Sequence, residues 1–210
     1  MRNHCILTGT VIEKFHPFTD AGTNEQIEHK GEKLYEAVIG TKRLSGVADI
    51  IRIVIPERKM EESLPERIHV HGTLITMNDS NRRLILFVLA ETIEPAGEKD
   101  DFNEIELTAN ICKVPVFRTT PLKRNITDLL LANNQYINNE KVSSYIPAIC
   151  WGSTTKKAAD CQVGDLLKAK GRINSREYTK VMEDGSHKTI RVNEYSIYFV
   201  TGYFTPQTKE

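Results

Sequence analysis

The sequence predicts an all-β protein: two tandem five-stranded barrels, each with one short helix. Three observations predict it. The chain repeats itself, because L-T-G-T-V-I-E-K (Leu7 to Lys14) is echoed by L-T-A-N-I-C-K (Leu107 to Lys113), and V-H-G-T-L-I-T (Val70 to Thr76) by A-K-G-R-I-N-S (Ala169 to Ser175). Each half divides into five short runs with two-residue alternation, bounded by turn residues. A polar, helix-like run falls between the third and fourth strands of each half. A repeat of roughly 100 residues is too long for a solenoid unit and suits a duplicated domain. A domain of that size buries its own core.

In the first half the strands are expected near Cys5–Glu13, Lys33–Thr41, Ala48–Pro56, Arg67–Met77 and Arg83–Ile93. In the second they are expected near Glu104–Lys113, Asn125–Ala132, Ser144–Trp151, Leu166–Arg176 and Thr189–Phe199. N-D-S-N (Asn78 to Asn81) and E-D-G-S (Glu183 to Ser186) read as hairpin turns. S-T-T-K-K-A-A-D-C reads as a helix capped by Ser153 or Thr154. Its counterpart R-K-M-E-E-S-L supplies at most two turns. The seam E-P-A-G-E-K-D-D, Glu94 to Asp101, is charged and lacks periodicity, so the domains are expected at 1–96 and 102–204. Five strands with a helix between the third and fourth is the plan of the OB-fold, whose outer face commonly binds oligonucleotides.

Composition narrows the function. The chain is 40% hydrophobic and 27% charged, ordinary globular material. No apolar run approaches the roughly 20 residues that span a membrane, and M-R-N-H-C-I-L-T-G-T carries no signal segment, so a cytoplasmic protein is expected. Cys5, Cys112, Cys150 and Cys161 form no C-x-x-C pair and read as reduced packing residues. His69 and His71 share a strand face without a visible third ligand, so no metal and no cofactor is expected. No phosphate-cradling loop, G-x-S-x-G, H-E-x-x-H or paired-carboxylate cluster is present, which argues against an enzyme. The net charge is zero. Locally, Ile111 to Thr127 holds Lys113, Arg118, Lys123 and Arg124 with no acid, and such a patch follows a phosphate backbone with strong salt dependence.

The strand Y-I-P-A-I-C-W-G, Tyr145 to Gly152, carries the sharpest signal. Ile146, Ala148 and Cys150 alternate toward a core, which leaves Tyr145, Ile149 and Trp151 on the other face. On the fourth strand Arg172, Asn174, Arg176 and Tyr178 share a face opposite Ile173. Outward rings among guanidinium groups suit single-stranded nucleic acid, because bases stack on rings while cations hold phosphates. Alternation alone leaves a second reading open, in which Tyr145 and Trp151 pack under the helix or in a subunit interface.

From about Ile105 to Phe199 the sequence resembles the bacterial single-stranded DNA-binding protein family. The matching pieces are I-E-L-T-A-N-I-C-K-V-P-V-F-R, Y-I-P-A-I-C-W-G, the helix leading into G-R-I-N-S-R-E-Y, and D-G-S-H-K-T-I-R-V-N. The resemblance implies that Tyr145, Trp151 and Tyr178 stack on bases, with Tyr136 near a fourth such position. It implies that Arg172 and Arg176 are the basic positions of the fourth strand. It also implies a tandem-barrel homodimer with four barrels, acting in replication, recombination or repair, of a chromosome, phage or mobile element.

Two departures matter. The chain ends F-T-P-Q-T-K-E, so no acidic tail for recruiting repair enzymes is expected. In the first half Asp49 and Ile55 align with Tyr145 and Trp151, and Asp79 with Tyr178. That barrel is therefore expected to be a degenerate assembly or scaffold domain, with Ile51, Ile53, Ile55, Ile75 and Met77 exposed as a protein contact. The competing function is a protein-interaction scaffold of a primosome-like or conjugation complex.

Overall fold

The computed structural model describes residues 2–29, 31–60, 63–137, 140–182 and 185–204. Two barrels are present. In the first, β1 (Asn3–Pro17), β3 (Glu32–Lys42), β4 (Ala48–Pro56), β5 (Arg67–Asn78) and β6 (Leu84–Pro95) close on themselves, and the two-residue β2 (Glu28–His29) borders β3. In the second, β7 (Phe102–Ile111), β9 (Asn125–Ile137), β10 (Glu140–Trp151), β11 (Leu166–Val181) and β12 (His187–Phe204) do the same, with β8 (Val116–Thr119) outside β9. Each closure uses one parallel pairing, β4 with β6 and β10 with β12. Pro147 sits one residue before the β10–β12 ladder begins at Ala148, where its missing N–H leaves no rung unmade.

The barrels share one sheet. β1 and β7 run antiparallel from Asn3 opposite Leu107 to Thr8 opposite Phe102, and Cys5 faces Ile105. Those two are equivalent positions, because Cys5 pairs with Gly72 on β5 and Ile105 with Gly171 on β11. A pseudo-twofold axis therefore passes between them. Its contacts recur on both sides. The Asn3 amide continues the ladder onto Leu74 N and O, at 3.0 and 2.9 Å, and the Asn103 amide does the same on Ile173, at 3.0 and 2.9 Å. Thr76 N donates to Ser144 Oγ at 3.3 Å on one side, and Ser175 N to Asp49 Oδ1 at 2.8 Å on the other. Only the second side is charged: Arg43 grips Asp49, and its guanidinium also reaches Asn174 Oδ1 at 2.8 Å.

The seam between the halves is tied down rather than free. Asp101 accepts from Arg67 at 2.7 Å and from the Lys42 N–H at 2.6 Å. One continuous apolar cluster fills both barrels, and it contains Ile51, Ile53 and Ile55. This corrects the expectation that those three are exposed. The ladders place Ile53 beside Val88 and Ala148 beside Tyr195, so Ile51, Ile53 and Ile55 correspond to Ile146, Ala148 and Cys150. The sequence alignment was out by one residue, which exchanges the faces of a strand. The true outer face of the first barrel holds Val54, Ile75 and Phe87, and these are buried under Phe18 and Leu34 with Ile27 and Met77 alongside.

The helix α1 (Thr154–Ala159) lies where expected, but no side chain caps it: Ser153 holds the cap position without a side-chain bond. Thr154 and Thr155 hydroxyls instead bond back to the carbonyls of Trp151 and Gly152, each at 2.8 Å, a competing local partner for short polar side chains. Among its described residues the first barrel has only a 3-10 turn, Glu57–Lys59, which buries nothing and so gains no packing to extend it. Glu61, Glu62, the Glu183–Asp184 part of the expected turn, and the chain after Phe204, with its expected lack of an acidic tail, lie outside the described residues.

Candidate nucleic-acid interface

The outer face of the second barrel is laid out by pairing. Trp151 lies opposite Ile126, Tyr145 opposite Ala132, and Lys141 opposite Tyr136 along the β9–β10 hairpin. Ile149 sits beside Ser196 of β12, which in turn faces Arg172 of β11. Tyr145 and Tyr178 are 54% and 43% exposed, and Trp151 is half-buried. None of the three rings is in the barrel interior, whose aromatic is instead Tyr195, fully buried. Its hydroxyl lies 3.1 and 3.0 Å from the carbonyls of Ile105 and Ala169.

Trp151 ends β10 at a turn made by Gly152, whose φ of 62° suits a residue without a Cβ. A concavity of about 430 Å³ opens beside the indole, lined by Arg124, Asn125, Gly152, Ser153, Thr155 and Lys156. Both charges in it are cationic. At the other end of the face the Arg176 guanidinium lies 5.9 Å from the Tyr178 ring centroid, within cation–π range. Arg176 also pairs with Glu194 at 3.4 Å. Arg172 is half-buried near Tyr198.

The basic segment is less uniform than its sequence. Lys113, Lys123 and Arg124 are exposed, and Lys123 sits in a tight turn with φ of 59°. Arg118 is held by both carboxylate oxygens of Asp128, which raises its pKa. Its charge is therefore offset by a carboxylate on the neighbouring strand, at the exposed edge of the sheet. Tyr136 is 77% exposed but stands apart: it lies at the tip of the β9–β10 hairpin, beside the first barrel.

Sequence reasoning missed Tyr198, half-exposed on the same side. The signal was available, because Tyr195 and Ile197 alternate inward and leave Tyr198 outward. Its hydroxyl donates to Glu104 at 3.0 Å, and burial together with that bond pushes its pKa to about 12. Lys156 was also missed, since a cation inside a short helix has no strand periodicity to mark it.

Residues 102–199 match the Single-strand binding protein family. The matched segment spans the second barrel, a little under half of the chain. The whole chain is similar in fold to the single-stranded DNA binding protein from Thermus aquaticus. The wild-type crystal structure gives a TM-score of 0.65 at 19% identity, covering 100% of this chain and 95% of that one. A deletion mutant of the same protein gives 0.64 at 18% identity, covering 100% and 96%. No curated protein sequence matches the chain. Among the described residues no group of three or more His, Cys, Asp or Glu side chains is placed to hold a metal. No helix among them is long and apolar enough to cross a membrane.

Proposed function

We propose that the chain is a non-enzymatic protein that binds single-stranded DNA, largely without regard to sequence, on the outer face of its single-strand binding family barrel. The observation that carries this reading is the outward placement of Tyr145, Trp151 and Tyr178 around Arg172 and Arg176 on one face. Rings stack on any base, and the cations, with Arg124 and Lys156 beside the indole, hold phosphates. The first barrel fixes the second in place through the shared sheet. The resemblance favours a homodimer in the cytoplasm serving replication, recombination or repair, and sedimentation with and without oligonucleotide tests the assembly.

The decisive experiment is titration with oligo-dT while following Trp151 emission. If about five phosphates are neutralised, the log–log salt slope is near −3 to −4. Emission unmoved by saturating oligonucleotide, with no shift in a gel, rejects the reading.

A further inference from the structure

The pseudo-twofold axis allows the two outer faces to be compared position by position. In the second barrel that face presents Trp151, Arg172, Asn174, Arg176, Glu194 and Tyr198. The ladders assign their counterparts in the first barrel as Pro56, Thr73, Ile75, Met77, Phe87 and Glu91. The last correspondence is marked by a matching irregularity: the register of β5–β6 shifts at Gly72 and that of β11–β12 at Gly171, so that Glu91 and Tyr198 are the extra residues. Arg172 and Arg176, and the rings of Trp151 and Tyr198, are thus replaced by small, apolar or acidic residues.

The first face is not simply closed over. A cleft of about 800 Å³ lies between it and the end of the β9–β10 hairpin, within the size range of built ligand sites. Ile75, Met77, Phe87 and Leu89 line it from the first barrel, and Val142 from the second. The rim is charged, with three carboxylates (Glu28, Glu32 and Glu91) against the cations of Arg58 and Lys59. Arg58 is held by Glu32, and Lys59 donates to the Glu91 carbonyl at 2.8 Å. The carboxylates of Glu28 and Glu91 have no cationic partner among the described residues; Glu91 only accepts from the Thr73 hydroxyl at 3.0 Å.

We propose that this cleft docks an extended peptide segment of a protein partner. Apolar side chains of the segment enter the cleft, and a Lys or Arg meets Glu28 or Glu91. Charge complementarity selects this occupant. A polyanion would bring phosphates to the unpaired acids, where like charges repel, whereas a cationic, apolar peptide satisfies both the rim and the lining. The duplicated face has exchanged one class of ligand for another, and the site is independent of the DNA-binding face.

The test uses two short fluorescein-labelled peptides, one alternating leucine with lysine and one alternating leucine with glutamate, read by polarisation on the full chain. The first is expected to bind saturably and the second not. Glu91→Lys and Glu28→Lys, both exposed rim changes, should weaken the first peptide at least about tenfold, and Met77→Glu should do the same through the cleft wall. Quenching of Trp151 by oligo-dT should be unchanged in all three, which also shows that they fold. Equal binding of both peptides, or full affinity in the rim variants, overturns the proposal. So does displacement of the peptide by oligo-dT, which would make the cleft a nucleic-acid site. Self-association of the chain that the peptide competes away would assign the cleft to a second copy and overturn it equally.

Discussion

Replacing Asp49 with alanine should damage the junction between the barrels far more than its place at a strand end suggests. Asp49 is 1% exposed and accepts from Arg43 and from the Ser175 N–H of the other barrel. Asp49→Ala leaves a guanidinium without its counter-ion and a backbone donor without a partner. Breaking a buried pair from one side costs about 3–5 kcal/mol. Arg43 keeps Asn174 Oδ1 at 2.8 Å and the Ser175 carbonyl at 3.2 Å, and it is about one-fifth exposed, so the low end applies, about 3 kcal/mol. Because the barrels share a sheet they should melt together, and that loss lowers Tm by about 6–12 °C for a chain of this size. The pseudo-symmetric control is Ser144→Ala, which removes one long neutral bond and costs about 0.5–1.5 kcal/mol. Calorimetry on both variants decides the matter. An Asp49→Ala loss no larger than that of Ser144→Ala, or two separate transitions in the wild type, refutes the reasoning.

Three further outcomes follow from the same geometry. Trp151→Ala should weaken oligo-dT binding by about fivefold to a hundredfold, the worth of one stacked base, measured by anisotropy of labelled DNA; unchanged affinity removes the indole from the site. Gly171→Ala should cost about 1–3 kcal/mol in a urea titration, because a Cβ there would meet the Ser196 carbonyl at 2.3 Å and the Tyr195 ring at 2.6 Å. Burial lowers the pKa of His69, with Lys99 and His71 adding to it and Glu94 opposing. The unfolded chain then takes up a proton that the folded chain refuses, so stability is complete above about pH 6.5 and falls as pH drops through that value. Urea midpoints near pH 8 and near pH 5 check the direction, and His69→Gln should shrink the difference; a midpoint that rises in acid contradicts it.

Much of this architecture was legible in the chain. The strands showed through because alternation is a local property, and β4 runs from Ala48 to Pro56 as read. The outward rings were legible for the same reason, since Ile146, Ala148 and Cys150 fix which way Tyr145 and Trp151 point. The first barrel's outer face was misread because similarity between the halves is too weak around β4 to set register, and one residue of slip inverts a strand. Phe18 could not have been placed from sequence, because it covers Phe87 and Val54 across a long excursion between β1 and β3. The pairing of Arg118 with Asp128 was hidden because the two meet across a β8–β9 ladder formed by a strand too short to announce itself.

The twofold relation between the halves has a consequence for any polymer with direction. A single strand runs 5′ to 3′, and a straight path perpendicular to a dyad is turned end for end by it. A nucleic acid laid across both barrels would meet the second face in one polarity and the first in the other. Two identical faces so arranged could not both grip one straight strand; a strand held by both would have to turn back between them.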